Sequence, residues 1–274
     1  MIDFHNHILP DVDDGSKSIE MTLDMFRSAE LQGITDVVNT VHFQHPKMEN
    51  KNVGYDFIEN KIKMVQSILE DNDIKIKIHS ASEVFYLPNL TDILDNPITT
   101  FGNGNYMLIE FQTLLLPDNY KDELFKLQLK NITPVIAHPE RYRKIQNNIE
   151  ILEEWIELGY IIQIDCGSIL GSFGKEAKIT SNYIIKNNLC HLIGSDAHNN
   201  TKRNFCLLEA YEVLSKLVNV GYVAHLKSNS KRIIRGEKVF LFMNEIEEKL
   251  HRGNKFSIIK KYIYKMLNFK DAIL

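Results

Sequence analysis

Short apolar segments alternate with amphipathic helical patterns along this 274-residue chain, and that alternation constrains its fold most. The apolar segments predict seven strands, at residues 2–4, 36–41, 75–78, 106–109, 133–137, 160–164 and 189–193. The helical spacing predicts helices at 18–32, around 58–69, and at 120–130, 149–158, 175–187 and 207–218. Repeated strand–helix units indicate parallel strands covered by helices, so the predicted fold class is α/β.

Histidines and acids recur where the predicted strands end, which favours an incomplete or distorted (β/α) barrel over an open doubly wound sheet. Active sites of such barrels lie at the C-terminal face of the strands. His5 and His7 are two residues apart in an extended segment, so their side chains point to the same side. The candidate metal ligands are His5, His7, Asp14, His42, Glu83, Glu110, His138, Asp196 and His198.

This set of nine predicts a metal cluster. Acids on apolar strand ends are costly to bury without a partner. Nine ligands exceed the number that one ion takes, so two or three ions are expected. Imidazole and carboxylate ligands suit manganese, iron or zinc alike. The other five histidines are interpreted as hydrogen-bonded turn residues: His45, His79, His191, His225 and His251.

Two arginines follow these candidate ligands closely. Arg141 lies three residues after His138, and Arg203 lies five residues after His198. A guanidinium can bind phosphoryl oxygens with two parallel hydrogen bonds. The alternative for each arginine is a salt bridge to a neighbouring acid such as Glu140. We predict that Arg141, Arg203 and His42 are catalytic.

Composition narrows the function further. The formal net charge of −4 argues against a general nucleic-acid binder. A cysteine-nucleophile phosphatase needs arginine six positions after its cysteine, and the three cysteines here have Ser172, Asp196 and Glu212 at that position. We therefore expect a metal-activated water as nucleophile. No apolar run is long enough for a membrane span, and no signal peptide fits before ligands that begin at His5. A cytoplasmic location is expected.

We predict one barrel domain over residues 1–250 and a basic amphipathic helix or tail over residues 251–274. The tail carries six Lys or Arg residues against one Asp. It either packs on the barrel with solvated lysines or meets a membrane or an acidic partner. Any membrane contact would be peripheral.

The motifs resemble those of the polymerase-and-histidinol-phosphatase (PHP) superfamily. Within it, they are most similar to the manganese-dependent protein-tyrosine phosphatases of bacterial capsule and exopolysaccharide operons, the CpsB/CapC type. The resemblance covers residues 2 to about 240 and rests on DFHNHILP (3–10), VDDG (12–15), AHPER (137–141), CGS (166–168) and GSDAH (194–198).

This resemblance implies a distorted (β/α)7 barrel with a trinuclear manganese centre. One ion would be held by His5, His7, Glu83 and Asp196, a second by Glu83, Glu110 and His138, and the third by Asp14, His42 and His198. The implied substrate is the phosphotyrosine-bearing tail of a membrane-associated tyrosine kinase that drives polysaccharide export. The motifs leave three alternative functions open: a small-molecule phosphatase such as histidinol phosphatase, a proofreading-type nuclease and a non-catalytic regulatory module.

Two positions depart from the pattern of this family. The usual Thr-Pro-His-His is replaced by Thr40-Val41-His42-Phe43, so a role for a second histidine is expected to be lost. Asp165 stands where the family tends to place Asn. It is either an additional acid behind the metal ligands or a buried hydrogen-bonding residue.

Overall fold

The computed structural model describes residues 1–48 and 54–242. The strands are β1 (Ile2–Asn6), β2 (Asp36–Phe43), β3 (Lys77–Phe85), β4 (Tyr106–Glu110), β5 (Thr133–Ala137), β6 (Ile161–Asp165) and β7 (Leu192–Gly194). The α-helices are α1 (Ile19–Leu31), α2 (Tyr55–Asp71), α3 (Tyr120–Leu129), α4 (Arg143–Asn147), α5 (Glu150–Glu157), α6 (Cys166–Leu170), α7 (Lys175–Lys186), α8 (Leu207–Leu217) and α9 (Val220–Ile234). The end of the predicted domain at residue 250 and the predicted basic tail lie outside the described residues.

The strands form one parallel sheet in the order β1-β2-β3-β4-β5-β6-β7, which curls into a nearly closed barrel. Alternate residues of a strand face opposite sides of the sheet. Leu108 of β4 and Val135 of β5 belong to one apolar cluster, whereas Ile109 and Ile136 belong to the other. The sheet therefore packs apolar side chains on both faces, as parallel sheets do. The predicted α/β barrel is confirmed.

Closure of the barrel brings the first sequence motif, which contains His5 and His7, next to the last one, which contains Asp196. The amide of Asp196 donates to the carbonyl of His5 at 2.7 Å, and the amide of His7 donates to the carbonyl of Ala197 at 2.8 Å. The Asp3 carboxylate also accepts the amide of Ser195 at 3.0 Å. The loop after β7 is thereby fixed against the end of β1.

Several predicted element bounds were wrong. β3 begins at Lys77 and runs to Phe85, so Glu83 lies within the strand. His42 likewise lies within β2. The connection from β3 to β4 carries a short 3-10 helix, Pro97–Thr99, in place of an α-helix. Helices α4, α6 and α9 were not predicted, because two of them span only five residues and α9 follows α8 almost directly.

None of the described helices combines the length and the apolar character that crossing a bilayer requires.

Gly194 of β7 lies close against His5 of β1, and we predict that Gly194→Ala destabilises the protein. A Cβ at this position would lie 2.5 Å from the Cβ and 2.8 Å from the backbone nitrogen of His5. Such overpacking costs about 1–3 kcal/mol. Urea unfolding followed by the fluorescence of Trp155, which is fully buried and the only tryptophan, measures the loss. An unchanged midpoint would show that β1 and β7 can separate freely.

Candidate metal centre

All nine predicted ligands converge at the C-terminal face of the barrel. Their candidate ligand atoms form four overlapping groups whose members lie within 4.8 Å of one another. These groups are His7–Asp14–His42–His198, His5–His7–Asp196, His5–Glu83–His138 and His42–Glu83–Glu110. The side chains come from β1, β2, β3, β4 and the loops after β1, β5 and β7. The arrangement is compatible with three adjacent cation positions.

Glu83 occupies the middle of this arrangement. One carboxylate oxygen, Oε2, lies 3.3 Å from Nε2 of His5, 3.4 Å from Nε2 of His7 and 3.2 Å from Nδ1 of His42. The other oxygen lies 2.9 Å from Nε2 of His138. The two oxygens therefore face different histidine groups, an arrangement in which one carboxylate could contribute to two cation positions.

Asp14 and Glu110 extend the cluster in two directions. Oδ1 of Asp14 lies 3.3 Å from Nε2 of both His42 and His198. Oε1 of Glu110 lies 3.8 Å from Nε2 of His138. Asp14 is 43% exposed at its side chain, so the cluster opens to solvent on the Asp14 side.

Neighbouring groups hold three of the imidazoles in a fixed orientation. Nδ1 of His7 pairs with the Asp13 carboxylate at 2.7 Å, and Nδ1 of His5 pairs with Oε1 of Gln163 at 3.0 Å. Nδ1 of His198 donates to the carbonyl of Asp196 at 2.9 Å. Each contact leaves Nε2 directed into the cluster. Partners of this kind fix the tautomer of metal-binding histidines.

Two candidate ligands sit in left-handed backbone conformations. His138, directly after β5, has φ +33°, and Asp196, just beyond β7, has φ +53°. Among residues other than Gly, this region is populated mostly by Asn, Asp and His. His138 and Asp196 are therefore residue types that tolerate this conformation, and both side chains lie in the cluster.

The electrostatics of the cluster call for positive charge. Burial lowers the pKa of His5, but the carboxylates of Glu83 and Asp196 outweigh burial and raise it to about 9. Burial and His7 lower the pKa of His42, whereas Asp14 and Glu83 raise it to about 10. In the absence of cations, the acids thus draw protons onto His5 and His42, whereas burial and His7 lower the pKa of His198.

Several buried nitrogen and oxygen atoms of the cluster have no hydrogen-bond partner, and a bound cation would satisfy them. Buried polar atoms nearly always have a hydrogen-bond partner. Five buried atoms of the candidate ligands have none: Nε2 of His5, Nε2 of His7, Nδ1 of His42, Nδ1 of His138 and Oε2 of Glu110. These are imidazole and carboxylate lone pairs, the ligands of manganese, iron and zinc. We conclude that the residues present fit a divalent metal centre.

Asp196 connects the cluster to both predicted arginines. Its Oδ1 lies 3.5 Å from Nε2 of His7, whereas its Oδ2 accepts hydrogen bonds from Nη1 of Arg141 and Nη2 of Arg203. Arg141 also donates to Asp165 at 3.0 Å. The salt-bridge alternative is thus realised for both arginines in this structure, although the acids are Asp165 and Asp196 and not Glu140. Both side chains stay partly exposed at the mouth of the cluster.

Asp165 combines the two roles considered for it. It is fully buried and its carboxylate accepts hydrogen bonds from Gln163 and Arg141. It also lies in one group with His138 and Asp196, within 4.8 Å. Its Oδ2 therefore holds Arg141 next to the candidate ligands His138 and Asp196.

His45 lies closer to the cluster than the sequence predicted. Its Nδ1 accepts the amide of Lys47 at 3.1 Å, which agrees with a hydrogen-bonded turn residue. Its Nε2, however, lies 3.6 Å from Oε2 of Glu110, and its ring centroid lies 4.6 Å from that of His42. A second imidazole is therefore present although the Thr-Pro-His-His pattern is lost. His79, His191 and His225 form hydrogen bonds elsewhere, as predicted. They were predicted to be turn residues, however, and this was wrong for His79, which lies in β3, and for His225, which lies in α9. His251 lies outside the described residues.

Sequence reasoning missed Asp13 and Gln163, which orient His7 and His5. Asp13 gave no separate signal, because the spacing of the two adjacent acids does not show that Asp13 faces His7 while Asp14 faces His42 and His198. Gln163 gave no signal, since a single amide within an apolar strand has no characteristic spacing.

Two of the three cysteines are unsuitable nucleophiles. Cys166 and Cys190 are fully buried, and burial raises the pKa of each thiol well above its usual value. Reactive cysteines instead have a lowered pKa and access to solvent.

A family model described as "Capsular polysaccharide synthesis, CpsB/CapC" matches residues 1–235. Among curated proteins, the chain is 34% identical to tyrosine-protein phosphatase YwqE from Bacillus subtilis, over 88% of this chain and 94% of that protein. It is 31% identical to tyrosine-protein phosphatase CpsB from Streptococcus agalactiae, over 79% of this chain and 90% of that protein.

Solved structures give the same picture. One from the study of YwqE from Bacillus subtilis and CpsB from Streptococcus pneumoniae, described as unique metal-dependent tyrosine phosphatases, has a TM-score of 0.83 and 34% identity. It covers 88% of this chain and 97% of that one. An organophosphorus hydrolase from Deinococcus radiodurans has a TM-score of 0.53 and 11% identity, covering 85% of this chain and 92% of that one, which shows a shared barrel fold only.

Metal binding is predicted to release protons near neutral pH. His5 and His42, with pKa values of about 9 and about 10 in the metal-free protein, are protonated at pH 7.5. A metal ligand must be neutral imidazole, so affinity for Mn²⁺ should rise as pH increases from 7 to 9 and fall below that range. Calorimetric titration in two buffers of different ionisation enthalpy measures the protons released. Binding without proton release would contradict the protonation of these histidines.

Asp13→Asn is predicted to weaken Mn²⁺ binding about 10- to 100-fold, because an amide cannot replace the negative charge behind His7. The matched control is Asp11→Asn, in the same loop, where the side chain is exposed and φ is +52°, a conformation that Asn adopts readily. Electron paramagnetic resonance of free Mn²⁺ gives both affinities. Equal affinities for the two variants would remove Asp13 from the support of the metal centre.

Proposed function

Because the chain belongs to the CpsB/CapC family of capsular polysaccharide synthesis proteins, we propose that it is a metal-dependent phosphatase that hydrolyses phosphotyrosine. The observation that carries this proposal is a buried set of histidine and carboxylate ligands with two arginines at its mouth. Such a site suits hydrolysis of an anionic substrate, because the arginines can bind the anionic group and the ligand set can hold metal ions that activate water.

We propose that the metal ions are held by the residue sets that the family resemblance implies. His5, His7, Glu83 and Asp196 form the first set, and Glu83, Glu110 and His138 form the second. Asp14, His42 and His198 form the third. Divalent cations bound there would supply Lewis-acid activation of water and of the phosphoryl group. Manganese is our proposal for the ion, and iron and zinc suit the same ligands.

The arginines would bind the phosphoryl oxygens. In phosphoryl transfer, catalysis consists largely of positioning and of balancing charge on the equatorial oxygens. Arg141 and Arg203 lie beside Asp196 at the open side of the cluster, where a phosphomonoester can reach them. Nε of Arg203 is buried without a hydrogen-bond partner, so it has a donor available.

A tyrosine leaving group agrees with this set of side chains. Tyrosine has a pKa of about 10, so its oxygen departs with less help from a general acid than an alkyl alcohol needs. His45 is the nearest further imidazole among the described residues. In the metal-free protein, burial and then the charge of His42 lower its pKa to about 4. The proposal assigns His45 no role as a general acid.

We further propose that the physiological substrate is the phosphotyrosine-bearing tail of a membrane-associated tyrosine kinase of polysaccharide export. The support is the description of the family, which ties it to capsular polysaccharide synthesis. A cytoplasmic location would follow from a kinase tail on that side of the membrane.

Kinetics on two substrates test the proposed activity. With Mn²⁺, kcat/KM for a phosphotyrosyl peptide should exceed that for histidinol phosphate by about a hundredfold or more, and a chelator should remove both activities. A preference for histidinol phosphate would establish the small-molecule alternative. Absence of metal-dependent turnover on either substrate would contradict phosphatase function.

Arg141→Ala is predicted to lower turnover about a hundredfold or more while metal content stays unchanged, because it removes a charge that stabilises the transition state. Arg143→Ala is the matched control, since Arg143 is exposed two residues away at the start of α4. Steady-state kinetics and elemental analysis of both variants provide the comparison. Unchanged turnover in Arg141→Ala would exclude it from the mechanism.

A further inference from the structure

Phe173 contacts both arginines of the proposed site. It lies in the loop between α6 and α7, after β6, and its side chain is half-buried. The guanidinium carbon of Arg141 lies 4.7 Å from the centroid of the Phe173 ring, and that of Arg203 lies 5.5 Å from it. Both distances are within the range of cation–π attraction.

The two arginines need such a contact, because two like charges are held side by side. Each is hydrogen-bonded at one terminal nitrogen. Nη1 of Arg141 donates to Oδ2 of both Asp196 and Asp165, and Nη2 of Arg203 donates to Oδ2 and to the carbonyl oxygen of Asp196. These bonds hold one end of each guanidinium by its edge. The face of an aromatic ring adds a constraint on the guanidinium plane and also attracts the charge.

The local backbone is built to place this ring. Gly167 in α6 has no side chain where a Cβ would lie 2.6 Å from a carbon of the Phe173 ring. The loop turns at Gly171 and Gly174, whose φ values of +94° and +97° are unfavourable for other residues. The Phe173 ring therefore packs against Gly167 of α6, close to the two arginines.

We propose that Phe173 is a positioning residue that holds Arg141 and Arg203 together as a single phosphate-binding clamp. This inference rests on the proposed function, because it assigns the two arginines to the phosphoryl group. The ring acts through its aromatic face, so its contribution depends on more than apolar volume. Losing the ring should weaken the binding of phosphate itself, in the substrate and as the free ion.

Phe173→Leu tests the clamp, because leucine keeps an apolar side chain and removes the aromatic face. We expect KM for phosphotyrosine and the inhibition constant of inorganic phosphate to rise about tenfold, which corresponds to about 1.4 kcal/mol. Changes in kcat should be smaller, and Mn²⁺ content should be unchanged. Phe173→Tyr keeps the ring and should stay within about twofold of the wild type.

Two further variants separate positioning from packing. Phe125→Leu makes the same change at a half-buried phenylalanine of α3, outside the site, and should leave both constants unchanged. Gly167→Ala keeps Phe173 but forces its ring to move, and should raise the phosphate inhibition constant as Phe173→Leu does.

The outcomes are distinct. An inhibition constant in Phe173→Leu equal to that of the wild type, or a loss in Phe173→Tyr as large as in Phe173→Leu, would overturn the clamp. A fall in kcat and in stability with unchanged phosphate binding would also overturn it, as a purely structural effect. If the wild type has no phosphotyrosine activity, the proposed function fails. Calorimetric titration of the Mn²⁺-loaded protein with inorganic phosphate then still decides whether Phe173 supports anion binding.

Discussion

The rest of the site depends on the burial of the Glu83 and Asp196 carboxylates. Both side chains are almost completely buried. Removing a carboxylate from water is costly unless positive charge and hydrogen bonds compensate. The compensation here comes from histidines on one side and arginines on the other. The raised pKa values of His5 and His42 follow from the same excess of negative charge.

The barrel makes this concentration of charge possible, because its closure joins residues that are far apart in sequence. His5 and His7 leave the end of β1 next to the loop after β7, and the two segments exchange backbone hydrogen bonds. The neighbouring strands β2 and β3 place His42 opposite Glu83 in register. The ends of rigid strands thus determine where the candidate metal ligands lie. The two arginines and Phe173 lie beyond the strands, where substitutions disturb the fold less.

The sequence predicted the barrel and the convergence of the nine candidate ligands, because both depend on periodicity and on the direction of parallel strands. It did not predict Asp13, Gln163 or Phe173. Their roles depend on which way a side chain points across a loop or through the barrel interior, and spacing carries no information about that. The predicted bounds of β3, residues 75–78, were wrong for a related reason. The polar residues Ser80, Ser82 and Glu83 interrupt an apolar pattern that the strand continues through.

Asp196 links the two halves of the site through its two oxygens. Oδ1 faces the imidazoles of His5 and His7, and Oδ2 faces the guanidiniums of Arg141 and Arg203. A carboxylate carries one negative charge in total, so a cation that draws charge toward Oδ1 weakens the attraction at Oδ2. The arginines would then be held less by Asp196 and relatively more by Asp165 and Phe173. In the proposed phosphatase, the attraction of these arginines to an incoming phosphate would therefore depend electrostatically on whether cations occupy the neighbouring histidine and carboxylate positions.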